Sequence, residues 1–425
     1  MKKIFAALSI ALLATPALAQ SGTNSPYSMY GIGVLSDQGN SFNRGMNGVG
    51  LGLRPHNQIN YLNPASYSAV DSLSFIFDAG LSLQMTNFKE DKVSKNAKNA
   101  SFEYVVGGFR VAPNFGLAFG LLPVSNIGYQ FTNTEYVDRK DGSYTGVSNV
   151  YSGTGGLHEA FIGLGWSPVK GFSFGVNGGY LWGEMEHIIN STYTDSSAKS
   201  LKKKRNCSIG SYKLDFGVQY QHELNDKDVI TVGATYGLGH SLNADPTLAI
   251  MSSGTVNDTT EFVAHDGIDF PSQIAAGVSY THGTKWAVGV DYTLQQWADA
   301  KFPLDNGNSY VGKTGQFNDL HKVNAGLEYC QNTEGRSFFS RIRYRLGAGY
   351  STPYIKVGSK DGPSQLSVSA GVGIPIVNAY NNRSMLNVSA QWVRNDASGL
   401  IKENSFRINI GFTFNERWFA KWKFD

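Results

Sequence analysis

The stretch Arg407-Ile408-Asn409-Ile410-Gly411-Phe412-Thr413-Phe414 decides the fold, because its even positions are all apolar and its odd positions are Arg, Asn, Gly and Thr. Successive side chains of an extended strand point to opposite faces, so one face of this segment is apolar and the other is polar. We interpret the apolar face as lipid-facing and the polar face as lining an interior. A half-buried strand of a soluble sandwich shows the same alternation when taken alone.

This alternation recurs from residue 73 to residue 414. Roughly a dozen segments of about ten residues each repeat it, which favours a transmembrane barrel over a sandwich. Two further clear examples have apolar residues at Tyr212, Leu214, Phe216, Val218 and Tyr220, and at Trp286, Val288, Val290, Tyr292 and Leu294. Glycines inside the strands are expected on the lumen side, where they let a plug approach the backbone; they include Gly163, Gly165, Gly175, Gly178, Gly179, Gly347 and Gly349.

The first nineteen residues have the pattern of a secretory signal peptide. Lys2 and Lys3 precede an apolar run over 4–14, and Ala17-Leu18-Ala19 forms a small-x-small cleavage site. No cysteine follows the apolar run, which argues against a lipoprotein anchor. No later run approaches the ~18 apolar residues of a spanning helix, so the pattern predicts export without helical membrane spans.

The composition narrows the function classes. The 7 Trp, 22 Tyr and 25 Phe suit aromatic girdles at the two membrane interfaces. Cleavage removes two lysines from the 36 basic residues and leaves 34 against 33 acidic residues, so no nucleic-acid partner is expected. Cys207 and Cys330 match no metal spacing, and the scattered histidines accompany no nucleophile motif. We therefore expect no cofactor, no metal and no catalytic residues.

Connections between the alternating segments are short and long in turn. Short turns are predicted at 112–114, 167–171, 224–228, 282–285, 331–338 and 377–383. Longer polar links are predicted near 87–100, 134–153, 187–206, 244–270, 298–317, 352–363 and 396–403. Outer-membrane barrels have short periplasmic turns and longer extracellular loops. The pattern thus predicts an all-β protein, a transmembrane antiparallel β-barrel of about 14 strands with both termini in the periplasm of a Gram-negative bacterium.

Four regions follow from these patterns: a signal peptide over 1–19, an N-terminal plug or hatch over 20–71, a barrel over 72–414, and a periplasmic tail over 415–425. Residues 20–71 do not alternate, yet they carry more large apolar residues than a disordered tail has. We therefore expect this region to fold inside the barrel. The tail contains Trp418, Phe419 and Trp422, which predicts an aromatic anchor at the membrane interface.

Several local motifs match a known family. Asn63-Pro64-Ala65 follows the glycine-rich stretch 46–50 and directly precedes the first strand, and 120–129 looks like a third strand with an internal proline. On these residues and its layout the chain resembles the long-chain fatty-acid transporter (FadL/TodX, OmpP1) family of outer-membrane channels. The segments 155–157 and 173–177 are similar to a branch common in Bacteroidota. Asn63, Pro64 and Ala65 are then the expected plug motif.

The resemblance implies that an apolar or amphipathic molecule is captured between the third and fourth extracellular loops and passes into a pocket above the plug. Here the fourth long link, 244–270, carries candidate capture residues Leu248, Ile250, Met251, Phe262 and Phe270. Exposed apolar residues on a loop indicate binding or packing. The alternative is that they pack against neighbouring loops and close the top of the barrel.

Charged residues at lumen positions form a second candidate set. Arg341, Arg343 and Arg345 alternate with apolar residues, so we expect all three to face the lumen, because an arginine facing lipid costs about 2–4 kcal/mol at the midplane. Lumen-facing acids on other strands are Asp215, Asp291 and Glu328. These groups either form salt bridges that hold the plug to the wall, or an arginine binds the carboxylate of a ligand.

Two functions remain open at this point. The first is passive uptake of hydrophobic or amphipathic small molecules, such as long-chain fatty acids. The second is a barrel that does not transport and instead docks proteins, as a subunit of an outer-membrane assembly or of a type IX secretion machine. Expected partners are membrane lipid and lipopolysaccharide, with a hydrophobic ligand in the first case and other outer-membrane proteins in the second. A space above Asn63-Pro64-Ala65 filled by loops would argue against transport.

Overall fold

A computed structural model describes residues 22–138, 144–195, 198–253, 258–307, 309–376 and 384–417. The predicted signal peptide, the predicted short turn at 377–383 and the tail aromatics lie outside these residues. Fourteen antiparallel strands pair in chain order, and the last pairs with the first to close a barrel. They are β1 Ser74–Glu90, β2 Val93–Ala112, β3 Phe115–Asp138, β4 Tyr144–Val169, β5 Phe172–Tyr193, β6 Ser200–Glu223, β7 Asp228–Gly237, β8 Gln273–His282, β9 Trp286–Gln295, β10 Leu320–Cys330, β11 Arg343–Ser351, β12 Ser364–Ile376, β13 Ser384–Asp396 and β14 Lys402–Arg417.

The apolar and polar positions that alternate in the sequence lie on the outer and inner faces of the barrel wall. Along β14, Ile408, Ile410 and Phe412 are 37%, 43% and 37% exposed on the outside, whereas Asn409 and Thr413 are buried inside. β14 closes the barrel against β1 in a register that pairs Ile408 with Leu83 and Phe414 with Phe77. The predicted 14-stranded antiparallel barrel is confirmed.

The wall is much taller on one side than on the other. Strands β3 to β6 contain 24, 26, 22 and 24 residues, whereas β7 to β11 contain 9 to 11. About ten tilted residues cross the hydrocarbon, so the longer strands project roughly 30 to 40 Å beyond it. We call the end with the short turns the base and the opposite end the crown. A hairpin of Thr247–Ser253 and Asp258–Val263 pairs with β6 and widens the tall wall at the crown.

Three of the predicted long links are wrong in extent. Residues 87–100 contain only a tight turn between Glu90 and Val93, and most of 134–153 and 187–206 belongs to β3, β4, β5 and β6. Above the membrane both faces of a strand tolerate polar residues, so these strand ends lose the alternation and resemble loops in the sequence.

The hatch lies inside the barrel and contains little regular structure. It has short helices at Pro26–Met29, Ser41–Arg44 and Pro64–Ala69, and a two-residue strand, Val34–Leu35. Most of its residues are buried. The wall begins at Ser74 rather than at 72, and β14 runs to Arg417, so the first three residues of the predicted tail belong to the last strand. Within the described part of the chain, none of the helices has the length and hydropathy that crossing a membrane requires.

Candidate functional site

The plug motif anchors the hatch near the base. Asn63 caps the helix Pro64–Ala69, since its Oδ1 accepts a hydrogen bond from the Ala65 amide at 3.1 Å. Its Nδ2 donates to the Leu51 carbonyl at 3.0 Å and to the Val218 carbonyl of β6 at 3.2 Å. The Asn63 side chain therefore links the start of this helix to another segment of the hatch and to the wall. Pro64 supplies a fixed φ at the first helical position.

Glycines of the wall make room for this motif. A Cβ atom on Gly175 would overlap the Pro64 backbone, and one on Gly165 would lie 2.6 Å from the Pro64 carbonyl oxygen. Among the glycines predicted to face the lumen, Gly347 likewise abuts the Met46 backbone. The prediction is wrong for Gly178, which lies on the opposite face of the strand from Gly175: a Cβ there would meet only the Leu214 side chain, at 3.8 Å. Close packing of hatch on wall therefore depends on specific glycines and not on all of them.

Asp291 holds the hatch by its backbone. Its Oδ2 accepts hydrogen bonds from the amides of Gly50, at 2.6 Å, and Leu51, at 2.9 Å. Opposite it, Gln219 of β6 donates to the Leu51 carbonyl at 2.9 Å and to the Leu53 carbonyl at 3.1 Å. The hatch segment 50–53 is thus bonded to two separate strands of the wall.

Arg343, Arg345 and Glu328 form a buried ion-pair cluster. Arg345 Nε lies 2.6 Å from Glu328 Oε2, and Arg343 pairs with the other carboxylate oxygen. Arg345 also donates to Asn387 Oδ1 at 2.6 Å and stands 6.0 Å from the ring centroid of Phe42 in the hatch. These groups are satisfied by one another, so the geometry is that of a structural contact between hatch and wall.

Arg341 does not join this cluster. The sequence predicts it on the strand, but it ends the short helix Phe338–Arg341 in the connection between β10 and β11. Helical spacing breaks the two-residue alternation, so Arg341 is not aligned with Arg343 and Arg345. Sequence alternation alone could not show this, because the helix is only four residues long.

Asp215 belongs to a separate cluster on β4 and β6. Lys213 Nζ lies 2.6 Å from Asp215 Oδ2 and 3.0 Å from Glu159 Oε2. The three groups face a small cavity of about 130 Å³, which is also lined by Phe161 and Trp297. They are not in contact with the Arg345 cluster, so the predicted lumen charges form several local sites instead of one network.

One ionic contact of the hatch with the wall involves a residue that sequence reasoning missed. Asp37 pairs with Arg407 of β14 at 2.5 Å and with Lys322 of β10 at 3.5 Å, and Arg44 donates to its backbone carbonyl at 2.8 Å. Burial alone would raise the pKa of Asp37, but these cations outweigh it and hold the pKa well below its usual range. The alternation of 407–414 predicts Arg407 at a lumen position. No pattern in the sequence indicates that Asp37 is its partner.

A cavity lies beside this contact, between the hatch and the wall. Its volume is about 250 Å³, and its lining includes Asp37, Lys322, Arg407, Glu403 and Gln84. Apolar side chains such as Leu62, Phe88 and Ile355 also line it, so charged and apolar groups share this space. The residues 35, 36 and 38 line both this cavity and the smaller one, so the hatch segment after Val34 separates the two.

A large apolar cluster packs inside the barrel beside these cavities. Trp297 is 2% exposed and lies at its centre, 5.1 Å from the ring centroid of Tyr354 and 5.9 Å from that of Phe317. Ile32 of the hatch and inward side chains of β3 to β6 complete it. We call this the crown cluster: Ile32, Val124, Ile127, Tyr129, Leu157, Leu181, Met185, Cys207, Ile209, Leu242, Ala244, Ile268, Trp297, Ala300, Phe317 and Leu320, with half-buried Met29, Leu35, Phe131, Tyr151, Phe270, Phe302 and Tyr354 packed against it.

The candidate capture residues are part of this packing. Leu248 is fully buried against Ala264 and Tyr310, with Ile250 and Phe262 packed on the same small cluster. Phe270 packs against the crown cluster, and Met251 is half-buried. In the structure these side chains contact other parts of the chain, as the closing alternative describes.

The wall contains one seam. β2 and β3 pair only between Val105–Ala112 and Phe115–Leu121, although both strands continue far toward the crown. At the lower end of the seam, residues of the hatch replace the missing pairing: Val34–Leu35 pairs with Ser125 and Asn126 of β3. In the described ranges, no cluster of three or more His, Cys, Asp or Glu side chains is arranged to hold a metal ion.

Comparison with solved structures identifies the fold. The chain is similar to the Ralstonia pickettii toluene transporter TbuX, with a TM-score of 0.62 and 13% identity over 90% of this chain and 99% of that one. The Pseudomonas putida toluene transporter TodX gives 0.60 and 14% over 92% and 100%. A Pseudomonas aeruginosa FadL homologue gives 0.62 and 10% over 91% and 99%. The expected FadL-type barrel is therefore confirmed at the level of fold.

Sequence comparison gives the family. A search of curated proteins found no match to this chain. The sequence model of the BamG family matches residues 1–425, which is the whole chain, and the chain therefore belongs to the BamG family.

Proposed function

We propose that this protein is an outer-membrane barrel that does not conduct small molecules and serves as a protein-docking subunit of an outer-membrane assembly. The observation that carries the proposal is the crown cluster, in which the chain's own apolar side chains pack against one another inside the barrel. A hydrocarbon channel needs an apolar path that a ligand can enter. Here the apolar side chains that would line such a path pack against one another.

The charged part of the larger cavity suits water better than hydrocarbon. The larger cavity brings together the Asp37, Lys322 and Arg407 side chains and the carboxylate of Glu403. An apolar ligand in this cavity would remove water from charged groups without replacing their hydrogen bonds, which costs several kcal/mol. These charged groups therefore argue against a hydrocarbon ligand in that part of the cavity.

The tall wall offers the surface that docking requires. We place the base in the periplasm and the crown outside the cell, as the short base turns suggest. In that orientation β3 to β6 and the hairpin 247–263 carry a rigid sheet well beyond the hydrocarbon. This part of the sheet does not contribute to crossing the membrane. It gives other proteins a large surface of regular secondary structure to bind.

Uptake of hydrophobic compounds, such as long-chain fatty acids, is the second candidate. It is supported by the fold shared with two toluene transporters and by the seam between β2 and β3, which interrupts the wall beside the hatch. For uptake to occur, the crown cluster and the hatch would both have to move. That requirement ranks it second.

The two functions differ in what accompanies the protein. We would solubilise the full chain from its native membrane in mild detergent, purify it, and analyse both the proteins and the lipid-soluble molecules by mass spectrometry. Docking predicts a stoichiometric protein partner and no enriched apolar ligand. A barrel that purifies alone, carries a bound hydrophobic molecule and admits toluene or a fatty acid into proteoliposomes would overturn the proposal in favour of uptake.

A further inference from the structure

The seam leaves one strand edge open at the crown. Above Leu121 no barrel strand pairs with β3 on the side of β2. Val34–Leu35 pairs with Ser125 and Asn126, and Ser28 Oγ accepts a hydrogen bond from the Gly128 amide at 3.2 Å. Beyond Gly128 the described residues supply no further partner on this edge, although β3 continues to Asp138 and stays paired with β4 on its other side.

The backbone groups of this open edge can be assigned by strand geometry. In an antiparallel strand the N–H and C=O groups of one residue point to the same side, and the side alternates from residue to residue. Because the Gly128 amide points into the seam, the N–H and C=O groups of Gln130, Thr132 and Thr134 point there as well. These three residues form a row of unpaired donors and acceptors about 13 Å long.

Natural sheets protect such edges with charge, proline or a bulge. The facing edge of β2 is protected in this way, because Lys95 and Lys98 are exposed and make no ion pair with a described residue. Residues 129–134 of β3 contain no charge and no proline, and they pair with β4 in an unbroken register. The β3 edge thus lacks the devices that prevent strand addition.

The side chains beside the open edge indicate what would bind there. On the inner face Phe131 stacks on Tyr151 with ring centroids 5.0 Å apart, and both rings are only half-buried. A strand added to β3 would cover Phe131 with every second side chain. The chain already uses this mode, because its own Val34–Leu35 pairs with the lower part of the same edge.

We propose that the edge of β3 from Tyr129 to Thr134 binds an extended segment of a partner protein by β-strand addition, with alternate apolar side chains of that segment facing Phe131. The proposal rests on the docking function above and names its surface. Strand addition gives affinity through main-chain hydrogen bonds and specificity through alternate side chains. The added strand would extend, toward the crown, the pairing that Val34–Leu35 of the hatch makes with β3.

Site-specific photo-cross-linking in the intact membrane tests this placement. A photoreactive phenylalanine analogue at Thr132 should give a cross-linked product with another protein after irradiation. The control position is Asn190 of β5, which lies in the same ladder row as Thr132 but is paired on both sides, with Val150 and Lys202. A product from Thr132 with none from Asn190 supports the proposal.

A proline variant tests the β3 edge independently of the docking function. Thr132→Pro removes a donor that points into the seam and leaves the bonds to β4 intact, so the barrel should keep its heat-modifiable migration while co-purification of the partner falls at least tenfold. A partner that co-purifies equally with Thr132→Pro, or cross-links equally from Asn190, would overturn the edge but leave docking standing. Absence of any partner would overturn docking itself. A product of twice the chain's mass would show pairing with a second copy and would also overturn the proposal.

Discussion

Asp37 Oδ2 of the hatch lies 2.5 Å from Arg407 Nη1 of β14, so a residue near the start of the folded chain is ion-paired with its last strand. Lys322 contacts the other carboxylate oxygen from β10. Both cations are mostly buried, and the pair borders the larger cavity. The contact holds the hatch segment that separates the two cavities.

Replacing Asp37 by asparagine should loosen the hatch. The variant leaves Lys322 and Arg407 without a counter-charge, and breaking a buried pair in this way costs about 3 kcal/mol or more. In planar bilayers Asp37→Asn should show frequent conducting openings, whereas the wild type stays closed. Asp226→Asn, in the exposed turn before β7, is the matched control and should stay closed. Equal conductance of wild type and Asp37→Asn would show that the contact does not hold the hatch.

The pH dependence of this contact follows from the lowered pKa of Asp37. A carboxyl group with a lowered folded-state pKa stabilises the fold above its unfolded pKa of about 3.9, and this stabilisation is lost as the pH falls through the folded value. Wild-type barrels should therefore remain closed from pH 8 to pH 4 and open only at lower pH. Conductance recorded across this range checks the prediction. Asp37→Asn should lack the acid transition, and a transition near pH 6 in the wild type would contradict the assignment.

Gly175 and Gly178 provide a matched pair of alanine substitutions on one strand. Gly175→Ala places a methyl group against the Pro64 backbone, which must shift, at a cost of about 1–3 kcal/mol. Gly178→Ala meets only the flexible end of Leu214. Limited trypsin digestion of the folded barrel should cleave the hatch at Arg54 faster in Gly175→Ala than in wild type. Gly178→Ala should behave as wild type, and equal protection of both variants would refute the close approach.

The Arg345 cluster should show strong coupling between its members. Arg345→Met leaves Glu328 with Arg343 alone and Asn387 without its donor, so we expect a loss of about 3–5 kcal/mol in barrel stability. The double variant Arg345→Met with Glu328→Gln should recover part of that loss, because it also removes the buried charge. Urea unfolding in detergent micelles measures the cycle. Additive losses would mean that the two residues do not interact.

Trp297 tests whether the crown cluster closes the lumen. Trp297→Ala removes a buried indole and should cost about 3–5 kcal/mol while opening a gap beside the cavities. A small membrane-impermeant thiol reagent should then reach a cysteine introduced at Leu35, which borders both cavities, faster than in the parent cysteine variant. Trp286→Ala, on the lipid-facing surface, is the control. Unchanged reactivity would show that another element closes the barrel.

Several features could be predicted from the sequence because they depend on local periodicity or on the exclusion of charged side chains from lipid. The 14 strands follow from alternation, and Arg345 faces the lumen because lipid excludes a charge from the other side. Asp37 could not be paired with Arg407 in advance, because the two positions are 370 residues apart and Asp37 lies on a segment without periodicity. The strand ends above the membrane were mistaken for loops for a related reason, since water on both faces removes the alternation.

The sequence by itself determined the barrel, since a lipid solvent imposes a two-residue period on every strand that crosses it. Only the tertiary structure decided what the barrel encloses. Leu248 and Phe270 could equally have lined a capture groove or packed inward, and both choices bury the same apolar surface. In the structure Leu248 packs on Tyr310, and Phe270 packs against the cluster in which Trp297 and Phe317 converge. Such convergence comes from closing the sheet around the hatch, which brings together residues that no local pattern connects.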